Sequence, residues 1–100
     1  MKTLNAGNFA DEIRSKDLYV VDFFADWCGP CRMLAPLLAE LEAETPSVSF
    51  GKLNVDEAPQ IAGQYGIQSI PYVVLFKKGE PAAVSVGFKP KAELKKALGI

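Results

Sequence analysis

Residues 18–38 read Leu18-Tyr-Val-Val-Asp-Phe-Phe-Ala-Asp-Trp-Cys-Gly-Pro-Cys-Arg-Met-Leu-Ala-Pro-Leu-Leu38, and a change of rhythm inside this stretch decides the fold. From Leu18 to Ala25 the chain is almost continuously apolar, the pattern of a central strand covered on both faces. From Cys31 to Glu44 the apolar residues recur every three or four positions. Leu34, Leu37, Leu38 and Leu41 form one stripe and Glu40, Glu42 and Glu44 fall mostly elsewhere, so this segment is an amphipathic helix. Strand passes to helix across Trp27-Cys28-Gly29-Pro30-Cys31.

Working outward, a very short strand (Lys2–Leu4) precedes a short helix in which Phe9 and Ile13 share a face, with Asn5 or Asn8 as its cap. After the central helix, Val48–Val55 reads as a strand and Glu57–Tyr65 as a short helix, with Pro59 in its first turn and Gly63 weakening its end. Tyr72–Phe76, the turn Lys77-Lys78-Gly79-Glu80 and Ala82–Gly87 form a hairpin. Pro90 opens a last helix with Leu94 and Leu98 inward. The order βα, βα, βα, ββα predicts an α/β domain over residues 1–100: a mixed five-stranded sheet flanked by four helices.

Composition narrows the chemistry. The 100 residues include no histidine, which removes Ser-His-Asp triads, Cys-His dyads and imidazole metal ligands. Two cysteines cannot close a tetrahedral zinc site. A net charge of −1 argues against a nucleic-acid partner, and the cluster Lys89, Lys91, Lys95 and Lys96 reads as a solvated helix face. The N-terminal residues lack the apolar core of a signal peptide, and no apolar run nears the ~20 residues that span a bilayer. The expectation is a cytoplasmic protein, where a close cysteine pair is unsuited to serve as a structural staple.

At a strand–helix junction, Cys-x-x-Cys is a redox signal. The free N–H groups and positive dipole end of the helix favour a thiolate at Cys28, and Cys31 lies three residues on, within bridging reach. Pro30 stiffens the first turn and Gly29 keeps the loop low for an approaching backbone. One unit of pKa lowering raises the thiolate at most about tenfold and costs about threefold in nucleophilicity, a net gain of about threefold. Proximity of the second thiol is the larger effect, so Cys31 matters as much as Cys28. Asp22, inside the buried strand, is placed to have a raised pKa and to exchange protons with Cys31; its alternative is a structural carboxylate paired with a lysine or polar loop.

The motifs Asp22–Pro36, Lys52-Leu-Asn-Val-Asp56, Tyr65-Gly-Ile-Gln-Ser-Ile-Pro71, Leu75-Phe-Lys-Lys-Gly79 and Gly87 together resemble the thioredoxin family, essentially end to end. The resemblance implies a thioredoxin fold without a cofactor and a general reductase of protein disulfides, itself reduced by a thioredoxin reductase and working as a monomer. It implies that Cys28 is the exposed attacking thiol, that Cys31 resolves, and that the two form the redox disulfide. It further implies that Asp22 moves the proton through water with Lys52 tuning it. Pro71 matches the family's cis-proline, which would turn the Ile70 backbone toward a bound peptide. Trp27, Gly29, Pro30, Gly66, Ile70, Pro71 and Gly87 would form a shallow substrate rim. Phe24, Tyr72 and Phe88 depart from the commonest family pattern, where a second Trp, a Thr and a smaller residue are frequent. Outside the reductase reading stand a disulfide oxidase or isomerase, a non-redox adaptor on the same fold, and a dimeric metal or iron–sulfur site made from two Cys-x-x-Cys pairs.

Overall fold

The computed structural model describes residues 1–100. Five strands form one sheet in the order β1-β3-β2-β4-β5: β1 (Lys2–Leu4), β2 (Leu18–Phe24), β3 (Ser49–Asn54), β4 (Tyr72–Lys77) and β5 (Glu80–Val86). β2 lies at the centre, parallel to β3 and antiparallel to β4, which explains its unbroken apolar character. Four helices cover the faces: α1 (Phe9–Arg14), α2 (Gly29–Glu44), α3 (Pro59–Gln64) and α4 (Lys91–Leu98).

Alternation along β2 divides the core in two. Tyr19, Val21 and Phe23 pack with Phe9, Ile13, Ala58 and Ile61 of the α1/α3 layer. Val20 points to the other face, among Leu34, Leu38 and Leu41 of α2 and Leu94 and Leu98 of α4. Asp22 shares this second face by strand period, so its carboxyl sits under α2. Phe50 and Lys52 follow the same period on β3, and the parallel register sets Lys52 directly beside Asp22.

Some boundaries differ from the sequence reading. α2 begins at Gly29 rather than Cys31, because Cys28 takes the N-cap position and its Sγ accepts the Cys31 N–H at 3.2 Å. A sulfur in that place is not the usual Ser, Thr, Asp or Asn oxygen. Asn8 occupies the N-cap of α1 but makes no capping hydrogen bond there; its Oδ1 accepts from the Asn5 N–H, and Asn5 Oδ1 accepts from Gly7 and Asn8. The two asparagines build the turn before the helix instead. β5 starts at Glu80, two residues earlier than expected, because the hairpin closes through Lys78 (φ 53°) and Gly79 (φ 83°) alone. Lys78 tolerates the left-handed region with its N–H donated to the Asp17 carbonyl at 2.8 Å. No helix is long and apolar enough to cross a membrane.

Candidate active site

The loop from β2 to α2 carries Cys28 and Cys31, which are joined as a disulfide with their Cα atoms 5.2 Å apart. Cys31 lies on the inward stripe of α2 with Leu34, Leu38 and Leu41. The expectation of an exposed attacking thiol is not met in this state: Cys28 is 4% exposed and Cys31 3%. With its sulfur bonded to Cys31, Cys28 packs among Ala25, Phe24, Val55 and Ile70, and the Ile70 carbonyl oxygen lies 3.8 Å from its Sγ. Exposure therefore does not distinguish the two cysteines. Position does: Cys28 caps the helix, and Cys31 is inside it.

The Ile70–Pro71 peptide bond is cis. The Pro71 carbonyl accepts the Gly87 N–H at 2.8 Å, which draws the β5–α4 loop against the residues flanking the disulfide. Gly66 and Gly87 both have positive φ, 65° and 81°, where a side chain would strain the backbone. Trp27 is 69% exposed, as a contact residue would be, and its indole N–H donates to Asp56 Oδ2 at 2.8 Å. A hollow on this side is walled by Trp27, Val55, Pro59, Ile67 and Ile70. Gly66 and Gly87 do not line it.

Behind the disulfide, Asp22 and Lys52 border a second hollow together with Cys31, Phe24, Asp26 and Arg32. Asp22 is 3% exposed and its Oδ1 finds no hydrogen-bond partner within the protein. Burial pushes its pKa up to about 7, and the Lys52 charge opposes part of that rise. Of the structural alternative, a carboxylate paired with a lysine or polar loop, the structure shows Lys52 beside it but no ion pair or hydrogen bond to its carboxyl. Lys52 is half-buried, and its Nζ stands 5.7 Å from the centroid of the Phe24 ring.

Comparison with known proteins agrees with this geometry. The thioredoxin family model matches residues 1–99. The chain belongs to the thioredoxin family. It is 47% identical over 97 residues to thioredoxin of Alicyclobacillus acidocaldarius, covering 96% of this chain and 92% of that one. To thioredoxin of Chlamydia muridarum it is 48% identical over 98 residues, covering 98% and 95%. Among solved structures, mitochondrial thioredoxin 3 of Saccharomyces cerevisiae in its oxidized form superimposes with a TM-score of 0.87 at 38% identity, covering 97% and 92% of the two chains. Plasmodium falciparum thioredoxin gives 0.90 at 31% identity, covering 96% and 94%. The fold is the thioredoxin fold, and with its paired cysteines this family member is a thiol–disulfide oxidoreductase, a protein disulfide reductase.

Two parts of the thioredoxin site escaped sequence reading as functional residues. Asp56 lies within a quoted motif, but nothing local assigns it to Trp27, 29 residues away. Arg32 and Asp26 look like surface charges, yet Arg32 Nη1 donates to the Asp26 carbonyl at 2.6 Å at the mouth of the rear hollow. The first pairing is tertiary and the second spans only six residues, but no spacing rule exposes either.

Proposed function

We propose that this protein reduces disulfides of client proteins by two successive exchanges, and is returned to the dithiol by a thioredoxin reductase. The Cys28 thiolate attacks one sulfur of the client disulfide; a mixed disulfide forms and the first client thiolate leaves, taking a proton. The Asp22 carboxylate then accepts the Cys31 proton, and Cys31 attacks Cys28 Sγ. The Cys28–Cys31 bond closes and the second client thiolate is expelled and protonated. Two electrons pass to the client; its two thiolates take one proton from solvent, replacing the one released when Cys28 ionised, and one that came from Cys31 through Asp22, and the protein's dithiol becomes the disulfide described above. The observation that carries this reading is the N-cap geometry: the Cys31 N–H donates to Cys28 Sγ at 3.2 Å, a contact that would hold charge on that sulfur.

Asp22 is assigned as the proton acceptor because it and Cys31 border the same hollow, and Lys52 as the residue that tunes it. Trp27, Gly29, Pro30, Gly66, Ile70, Pro71 and Gly87 serve as the rim on which an extended client backbone lies. The protein acts as a cytoplasmic electron carrier and as a monomer, binding neither nucleic acid nor membrane. Cys31→Ser tests the assignment: it accumulates a client adduct on Cys28, seen by intact mass, whereas Cys28→Ser forms none. An adduct on Cys31 of the Cys28→Ser protein at the same rate would reverse the two roles.

A further inference from the structure

The rear hollow has features that the exchange of thiols does not call for. It is a cleft of about 310 Å³, at the small end of ligand pockets. Its walls are apolar: Phe24 and Ala25 on one side, Ala35 and Ala39 of α2 on the other. Its polar ends are unmatched. Asp22 Oδ1 is buried without a partner, and none of the four ion pairs in the chain involves Lys52. Asp22 lines the cleft and its carboxyl makes no hydrogen bond within the protein, so a ligand oxygen arriving there displaces no protein partner.

We propose that this cleft binds a small monocarboxylate with a compact apolar tail, seated between Lys52 Nζ and Asp22, and that its occupancy slows the resolving step. Charge selects the class. The groups facing Asp22 are Lys52 from β3, Arg32 and the disulfide-bonded Cys31 from α2, Asp26 after β2, and Met1, whose amino group is paired with Glu42. With Asp22 carrying its proton, Lys52 and Arg32 outweigh Asp26, leaving room for one negative charge. One ligand oxygen accepts from Lys52 and the other from the Asp22 hydroxyl; the tail lies against Phe24 and the two alanines. A cation meets Lys52 and Arg32. A phosphate dianion has too few donors here to offset its desolvation. The regulatory part rests on the proton role proposed for Asp22: a carboxylate hydrogen-bonded to it holds back the proton transfer that Cys31 needs.

Benzoate is the probe, with benzylammonium as its cationic counterpart, titrated into the oxidised protein while amide resonances are followed. The expected result is saturable shifts at Phe24, Ala35, Ala39 and Lys52 with benzoate only, about tenfold weaker at pH 8 than at pH 6. That factor is the ratio of protonated fractions for an Asp22 that titrates at about 7. Asp22→Asn keeps an N–H donor that does not titrate, so it binds equally at both pH values. Lys52→Met loses binding, as does Ala39→Leu, which fills the cleft from an exposed helix position. No saturation, equal shifts with benzylammonium, or binding retained by Ala39→Leu would overturn the site. In the kinetic arm, benzoate slows release of client from the mixed disulfide in the natural protein and leaves Ala39→Leu unaffected; release untouched at saturation overturns the regulation. Binding to the oxidised protein involves no turnover, so loss of the site and loss of the Asp22 proton role are separate results.

Discussion

The indole N–H of Trp27 reaches across the rim to Asp56 Oδ2 at 2.8 Å, although the ring itself is 69% exposed. Asp56 is in turn set by its own N–H, which donates to Asn54 Oδ1 at 2.9 Å. A side chain so exposed has many rotamers open to it, and one hydrogen bond selects the one that walls the groove beside Ile70. An exposed bond of this kind is worth at most about 1 kcal/mol, or about fivefold in an equilibrium. Asp56→Ala is therefore expected to raise KM for a protein disulfide by up to about fivefold with kcat little changed. Trp27 is the chain's one tryptophan, so its fluorescence anisotropy reports the freed ring directly. Asp56→Asn, which keeps an acceptor, restores most of both signals. Unaltered anisotropy in Asp56→Ala would show that packing holds the ring.

Burial of Asp22 makes stability depend on pH. The folded protein keeps the Asp22 proton to about pH 7, whereas an unfolded chain releases it near 3.8. Between those values the folded state binds the extra proton, so stability is fully present below about pH 3.8 and is lost as pH rises through 7. At 1.36 kcal/mol per pH unit the interval corresponds to about 4 kcal/mol. Asp22→Asn removes this titration. Urea unfolding should show its advantage over the natural protein growing from pH 4 to pH 8 by up to that amount; parallel pH curves would contradict a buried, titrating Asp22.

The same substitution should harm turnover while helping stability. With no carboxylate to take the Cys31 proton, Asp22→Asn is expected to release client from the mixed disulfide more slowly, with a loss of about 10²-fold at neutral pH, a typical general-base contribution. The loss shrinks at high pH, where hydroxide deprotonates the thiol unaided. Stopped-flow reduction of a protein disulfide from pH 6 to 9 reads this out, and superimposable profiles for the two proteins would remove Asp22 from the step.

Lys52 lowers the Asp22 pKa from the neighbouring strand. Lys52→Met should move the Asp22 midpoint further to the alkaline side, followed through its carboxyl resonance, and carry the pH profile of client release with it. A midpoint that stays in place would show that solvent screens the pair.

Gly51 tests packing away from the chemistry. A Cβ built there would lie 3.1 Å from Leu4 Cδ1 and from both Cε1 and Oη of Tyr19, in the layer between β1, β3 and β2. Gly51→Ala is expected to cost about 1–3 kcal/mol by overpacking. Thermal unfolding should fall by roughly 4–8 °C for each of those kcal/mol, with the rate of disulfide reduction per folded molecule unchanged.

Much of this arrangement was legible residue by residue. The run Leu18–Ala25 announced a central strand because a strand covered on both faces has no polar face to show. Leu34, Leu38 and Leu41 recur at helical period, and all three are buried in the α2 layer. The junction between the two elements marks Cys28 and Cys31 by itself. Boundaries were less legible. The start of α2 moved to Gly29 because a sulfur caps it, and a sulfur is not among the residues that signal a cap.

What local pattern left open was how individual residues of different strands and loops meet. Local pattern specifies which residues face inward and where periods change, since both depend on neighbours within a few positions. It does not specify that Lys52 stands beside Asp22, that Pro71 and Gly87 meet through a backbone hydrogen bond, or that Asp56 tethers Trp27. Those follow from strand register, parallel between β2 and β3 and antiparallel between β4 and β5, which joins segments 16 to 30 residues apart. The chemistry of the cysteine pair was written in its spacing. The environment that raises the Asp22 pKa to about 7 exists only when β2, β3 and α2 close over it, because desolvation is a property of the packed whole.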